Sequence, residues 1–111
     1  MIIGGQTHTI ELNDPTAHDL ADRLPLTSLF DDFNQVEKIG RLGRALTTDG
    51  VPRGSDPEVD EIGYYAPSRD LVFHYGDVGY FNGIVRIGRF NTGIDLIRDQ
   101  PDGFSVTVDR A

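Results

Sequence analysis

The sequence contains no cysteine. That absence excludes disulfide staples, thiolate zinc sites and a cysteine nucleophile, and it fits a reducing compartment. Positive charge is also scarce: 10 Lys and Arg stand against 18 Asp and Glu, a formal net charge of -8. Residues 1–60 hold 11 acids and 5 bases and residues 61–111 hold 7 and 5, so neither half offers phosphate backbones a basic surface. Nucleic acid is therefore not an expected partner. Long apolar runs are missing too, and the first residues lack the basic start and apolar stretch of a secretory leader. The expectation is a soluble, cytoplasmic protein with no membrane contact.

What is present is enough for a single domain spanning residues 1–111. At this length folding buries roughly 65% of the unfolded surface, and a hydrophobic content of 38% supplies one modest core. Nine of the ten basic residues are Arg, which fits either bidentate contacts or the codon usage of a GC-rich genome. Thirteen glycines and six prolines divide the chain into short pieces, most of which alternate apolar and polar residues at period two, as half-buried strands do. Residues 7–12 place His8, Ile10 and Leu12 on one side, giving a first strand. Asp14-Pro15 reads as an N-cap followed by proline at the first helical position, with Ala17, Leu20, Ala21 and Leu24 forming one apolar stripe and Pro25 ending the helix.

Residues 26–33 fit a strand, whereas residues 36–46 stay open between helix and strand because of Gly40 and Gly43. Residues 47–60 are rich in Asp, Gly, Pro and Ser without periodicity, the pattern of a functional or mobile loop. Residues 62–65, a turn at Ala66-Pro67-Ser68 and residues 71–75 give the clearest hairpin. A strand at 84–90, a helical turn at 94–98 and a last strand at 104–108 complete a mainly β chain. Many short strands with two short helices predict a closed or nearly closed β-barrel.

Motifs for chemistry are few. His8, His18 and His74 are too scattered for a metal site, Gly-x-Ser-x-Gly is missing, and no cofactor is implied. Asp56, Glu58, Asp60 and Glu61 lack the spacing of a calcium loop and read as a solvated segment. The aromatic residues say more. Tyr64, Tyr65, Phe73, Tyr75, Tyr80, Phe81 and Phe90 fall within 27 residues, and four of them carry hydroxyls that must reach water or a partner. A groove or barrel mouth suits such rings. Tyr64 and Tyr65 are adjacent on one strand and must point to opposite faces. Tyr65 is assigned to the groove with Phe73 and Tyr75. Glu37, Lys38, Arg41 and Arg44 form a mixed-charge cluster, and Glu37 and Arg44 are the candidates to face the rings, the alternative being ordinary surface pairing.

The segment Ile84-Val85-Arg86-Ile87-Gly88-Arg89-Phe90-Asn91-Thr92-Gly93-Ile94-Asp95-Leu96-Ile97 resembles the late strand, turn and helix of cyclophilins. Ile10-Glu11-Leu12 and Asp14-Pro15-Thr16-Ala17 resemble that family's early strand and helix start. Leu24-Pro25-Leu26-Thr27, Val36-Glu37-Lys38, Ile62-Gly63-Tyr64-Tyr65-Ala66-Pro67 and Leu71-Val72-Phe73-His74-Tyr75-Gly76 are similar to the small bacterial cyclophilin-like domains, whose activity is largely unassigned. The likeness runs from about Thr7 to Val108. Where the subgroup has Gly-Asp-Ile before the tyrosines, this chain has Glu61-Ile62-Gly63.

The resemblance implies a closed barrel of about eight strands with two short helices and a shallow outer groove. Together with the tyrosine-rich hairpin, it gives the expectation that an aromatic groove binds a small molecule or an extended peptide. It does not carry over prolyl isomerisation, which in cyclophilins rests on an Arg in a Phe-x-Arg pattern after the first helix. Here that stretch reads Leu26-Thr27-Ser28-Leu29-Phe30. Loss of such electrostatic stabilisation removes several kcal/mol of rate enhancement. The alternatives are an isomerase using a relocated Arg44 or Arg89, and a self-associating or protein-interaction module, a homo-oligomer being a common state for such domains.

Overall fold

Pro15 opens the first helix with its φ already set for helical geometry, and the stripe behind it decides what that helix touches. A computed structural model of the protein describes the backbone of residues 2–3 and 6–7 and the whole of residues 15–90 and 94–109. Helix α1 (Pro15–Asp22) buries Thr16, Ala17, Leu20 and Ala21, and Leu24 packs beside them. The helix is fastened to the loop around residue 47. The Thr16 hydroxyl donates to the Thr47 carbonyl (2.5 Å), and the Thr47 amide donates to Asp19 (2.7 Å), which also pairs with Arg23 (3.0 Å). The Thr47 amide, with Arg23 second, holds the Asp19 carboxyl below its ordinary value. The proposed cap Asp14 and most of the expected first strand, including His8, Ile10 and Leu12, lie outside the described residues, as do Asn91, Thr92 and Gly93.

The strands are β1 (Ile2–Ile3), β2 (Gln6–Thr7), β3 (Leu26–Phe33), β4 (Glu37–Arg41), β5 (Gly54–Ser55), β6 (Glu61–Tyr65), β7 (Asp70–His74), β8 (Phe81–Asn82), β9 (Ile84–Arg89) and β10 (Phe104–Asp109), with α2 (Ile94–Arg98) between the last two. The ambiguous stretch 36–46 resolves into β4 followed by coil. Gly40 supports this strand because the Phe30 ring occupies the space above it. Eight strands form one antiparallel sheet in the order β2-β1-β10-β3-β4-β7-β6-β9, and β5 and β8 form a separate ladder. The hairpin of β6 and β7 pairs Ile62 with Phe73, Tyr64 with Leu71 and Tyr65 with Asp70.

Closure of this sheet into a barrel was the expectation from sequence. Among the described residues no ladder joins β9 back to β2. The strands β1 and β2 are two residues long there and offer few backbone groups to a second neighbour, while α1 packs against β9. The inner faces of β3, β6, β7, β9 and β10 nonetheless share one cluster: Phe30 stacks on Phe73 (4.5 Å between ring centres, 13° between planes), and Phe90 meets Phe73 edge-on (5.0 Å).

A methyl group added at residue 40 would lie 2.3–2.6 Å from three atoms of the Phe30 ring, which is fully buried and held by the stack on Phe73. Gly40→Ala is expected to lower unfolding stability by about 1–3 kcal/mol in urea denaturation with an unchanged slope. A neutral result would contradict the packing of Phe30 against β4.

Candidate functional site

Every residue of β7 is buried, although alternate side chains leave its two faces. Leu71 and Phe73 enter the aromatic core, while Asp70, Val72 and His74 point outward beside Tyr65 of β6 and beside Glu37 and Ile39 of β4. That outer face is roofed by chain running from Tyr75 to Gly83. The Val36 carbonyl accepts hydrogen bonds from the amides of Tyr75 and Gly76, and Phe81 and Asn82 pair with Ser55 and Gly54. Between sheet and roof lies a hollow of about 490 Å³. Ile39, Val72 and Ile84 give it an apolar lining, Val78 and Phe81 contribute from the roof, and Phe33 and Tyr65 supply further rings. Tyr65 meets Phe81 edge-on at 6.3 Å. Glu37 and Asp70 are its carboxylates, and no Lys or Arg lines it among the described residues.

The five residues singled out from sequence part company here. Tyr65 and Glu37 line the hollow. Phe73 does not, because its ring is fully buried in the core on the opposite face, and its neighbour across the hairpin is Ile62. Tyr75 is also separate from Tyr65. It continues the Phe73 side of the strand and its hydroxyl donates to Asp32. Arg44 lines a different, smaller hollow of about 220 Å³ with Leu20, Leu26 and Leu42. The grouping of Tyr65 with Phe73 and Tyr75 is thus corrected by strand parity: Tyr64, whose hydroxyl accepts a hydrogen bond from the Leu46 amide (3.0 Å), is the tyrosine that joins Phe73 inside. Asp70, Val72 and Ile84 were not picked out from sequence, and Phe81 was named there only as a member of the aromatic set. The alternation of Asp70, Val72 and His74 was available as a signal, but it gains meaning only once the hairpin register sets them opposite Tyr65.

His74 is fully enclosed on this outer face. Its Nδ1 lies 3.3 Å from Glu37 Oε2, close enough for an ion pair but not aligned as a hydrogen bond, and its Nε2 faces Gly63, where a Cβ would come within 2.7 Å. Gly63 therefore provides the room for the imidazole. A second hollow of about 410 Å³ also has Ile84 in its lining, with Glu61, Arg86 and Arg89; Glu61 receives Arg86 there (2.9 Å), and Arg89 reaches Glu58 (2.5 Å). The acidic stretch at 56–61 is therefore tied in part to two arginines of β9.

The cyclophilin-like family matches over residues 1–109. The chain belongs to the cyclophilin-like family. The solution structure of a hypothetical protein from Archaeoglobus fulgidus is similar in fold, with a TM-score of 0.71 at 23% identity over 92% of this chain and 85% of that one. Comparison with curated proteins gives no match.

Inside this cyclophilin-like sheet the one lysine, Lys38, is almost wholly buried. Its ammonium donates to the Gln100 carbonyl (2.8 Å), lies 3.3 Å from Asp32, and sits 5.9 Å and 5.8 Å from the ring centres of Tyr75 and Phe104. The Tyr75 hydroxyl, more than Lys38, holds the Asp32 carboxyl below its usual range. Burial first, and Asp32 second, push the Tyr75 phenol up to about 12.

A phenol whose folded value is raised adds stability that is complete below its unfolded value of about 10 and is lost as pH rises through the folded value. Stability is expected to fall between pH 10 and about 12, and Tyr75→Phe to flatten that limb in denaturation curves taken across the window. Coincident wild-type and variant curves there would remove Asp32 and burial as the controlling contacts.

Proposed function

We propose that this cyclophilin-like chain, acting as a single domain in the cytoplasm, binds a small molecule or an extended peptide in the 490 Å³ hollow over β4, β7 and β6, without efficient prolyl isomerase activity. The observation that carries the reading is the hollow itself: an apolar lining with rings on more than one side and two carboxylates, within the size range of small-molecule sites. The isomerase alternative requires a guanidinium where a substrate amide would lie. Against it, Arg44 lines a separate hollow and Arg89 is engaged by Glu58. The interaction-module alternative draws on the exposure of Leu29, Phe33 and Tyr80.

Phe81 is 53% exposed and Tyr65 is half-buried on the outer face, outside the core cluster, so truncating either ring leaves the aromatic cluster intact. A metabolite and peptide screen read by thermal shift is expected to give at least one ligand, bound more than tenfold more weakly by Tyr65→Ala and Phe81→Ala while their unliganded melting temperatures change little. Ligands that bind both variants as tightly as the wild type would remove the hollow from consideration.

For the isomerase alternative, a coupled peptide assay is expected to show the uncatalysed X-Pro rate of tens of seconds or slower at 25 °C. Acceleration that Arg44→Ala abolishes would reverse the preference. Sedimentation of a concentration-independent monomer would count against self-association.

A further inference from the structure

The two carboxylates of the hollow stand at opposite ends of an apolar floor. Glu37 pairs across the sheet with His74, Ile39 with Val72, and Arg41 with Asp70. Glu37 and Asp70 are thus separated by four residues along the strand direction, roughly 13 Å at about 3.3 Å per residue. Ile39 and Val72 fill the interval, with Ile84 beside them and Val78 and Phe81 facing them from the roof.

Both carboxylates are largely withdrawn from water, with side chains 14% and 11% exposed. Neither is matched by a close cation within the hollow. Glu37 faces the Nδ1 of His74 at 3.3 Å without an aligned hydrogen bond. Asp70 accepts the Ser68 hydroxyl at 2.6 Å, and its ion pair with Arg41 spans 3.9 Å to a side chain that is 79% exposed. A carboxylate removed from water is costly unless a positive partner and hydrogen bonds replace the lost hydration. Here one such group lies at each end of a channel lined by hydrocarbon and by the rings of Tyr65 and Phe81. Ring faces attract a cation as well as an alkyl chain. The net charge of -8 favours the approach of a cation.

We propose that the hollow takes an elongated dication: an aliphatic chain carrying a protonated amine at each end, the chemistry of diamines and polyamines. One ammonium donates to Glu37 and the other to Asp70, and the methylenes lie over Ile39 and Val72. The proposal rests on the reading of the hollow as a binding site and adds the ligand class. Taking the strand offset as the span between the two ends, charge-assisted hydrogen bonds of about 2.8 Å at each leave roughly 7–8 Å for the two nitrogens, the extended length of a chain of about five methylenes.

The test is calorimetric titration of the full chain with 1,5-diaminopentane, pentylamine and 1,5-pentanediol, repeated for Glu37→Gln and Asp70→Asn. The diamine is expected to bind, the monoamine about tenfold or more weakly, and the diol without measurable heat. Each single variant is expected to lose about tenfold or more in diamine affinity, since a hydrogen bond to a charged group is commonly worth that much. Ile39→Lys, at a half-buried floor position, provides a variant independent of carboxylate removal. Its own ammonium reaches toward the carboxylates and is expected to abolish diamine binding. Melting curves establish that each variant is folded.

Equal binding of diamine and diol would overturn the dication, as would diamine binding unchanged in both carboxylate variants, which marks diffuse attraction to an acidic surface. If uncharged compounds bind and lose affinity in Tyr65→Ala and Phe81→Ala, the hollow remains a binding site and only the ligand class fails. If nothing binds, both readings fall together.

Discussion

Strand β7 is buried on both faces, and the organisation of the site follows from that constraint. Its odd-numbered positions, Leu71 and Phe73, complete the aromatic core, while Asp70, Val72 and His74 belong to a second layer on the opposite side of the same backbone. A strand sandwiched in this way cannot shift register by one residue without driving Asp70 and His74 into the core and Phe73 out of it. The register is held from both sides, by Glu37 to Arg41 of β4 and by Ile62 to Tyr65 of β6. The hollow inherits its shape from that rigidity, because its floor is the back of the core itself.

Charge is distributed between the two layers in a complementary way. The lysine is drawn to the inner layer, where Asp32, the Gln100 carbonyl and two rings replace its hydration. On the outer layer Glu37 and Asp70 face a cavity with no lysine or arginine in its described lining, while Glu61, farther along β6, is answered by Arg86. The arginines of β9 therefore gather in one hollow, and two carboxylates with no lysine or arginine beside them in the described lining face another. Ile84 borders both. One fold thus presents two neighbouring concavities of different electrostatic character, which is why the position of an arginine matters more here than the number of arginines.

Several elements were legible in the chain. The apolar stripe of α1, the strand over residues 26–33, the hairpin around Ala66-Pro67-Ser68 and the final strand all follow from local spacing and turn chemistry, and the structure contains them. Residues 36–46 were not, because Gly40 weakens a helix and a strand alike; it is the ring of Phe30, its partner across the β3–β4 pairing, that makes a strand with no Cβ the fitting choice. The site was legible in part. Adjacent tyrosines had to diverge, but which of them met Phe73 depended on the hairpin register.

What the sequence determined by itself was the mainly β character of the chain, the positions of its clearest turns and the two-sided placement of Tyr64 and Tyr65, since these depend on backbone preferences and on period-two alternation within a few residues. The tertiary structure alone decided which face each alternating set occupies and how the sheet's edges are arranged. It also decided which carboxylates share a cavity. Glu37 and Asp70 are thirty-three positions apart, and the pairing of β4 with β7 is what brings them to the two ends of one floor. Long-range pairing minimises exposed apolar area across the whole chain, and no local pattern encodes its outcome.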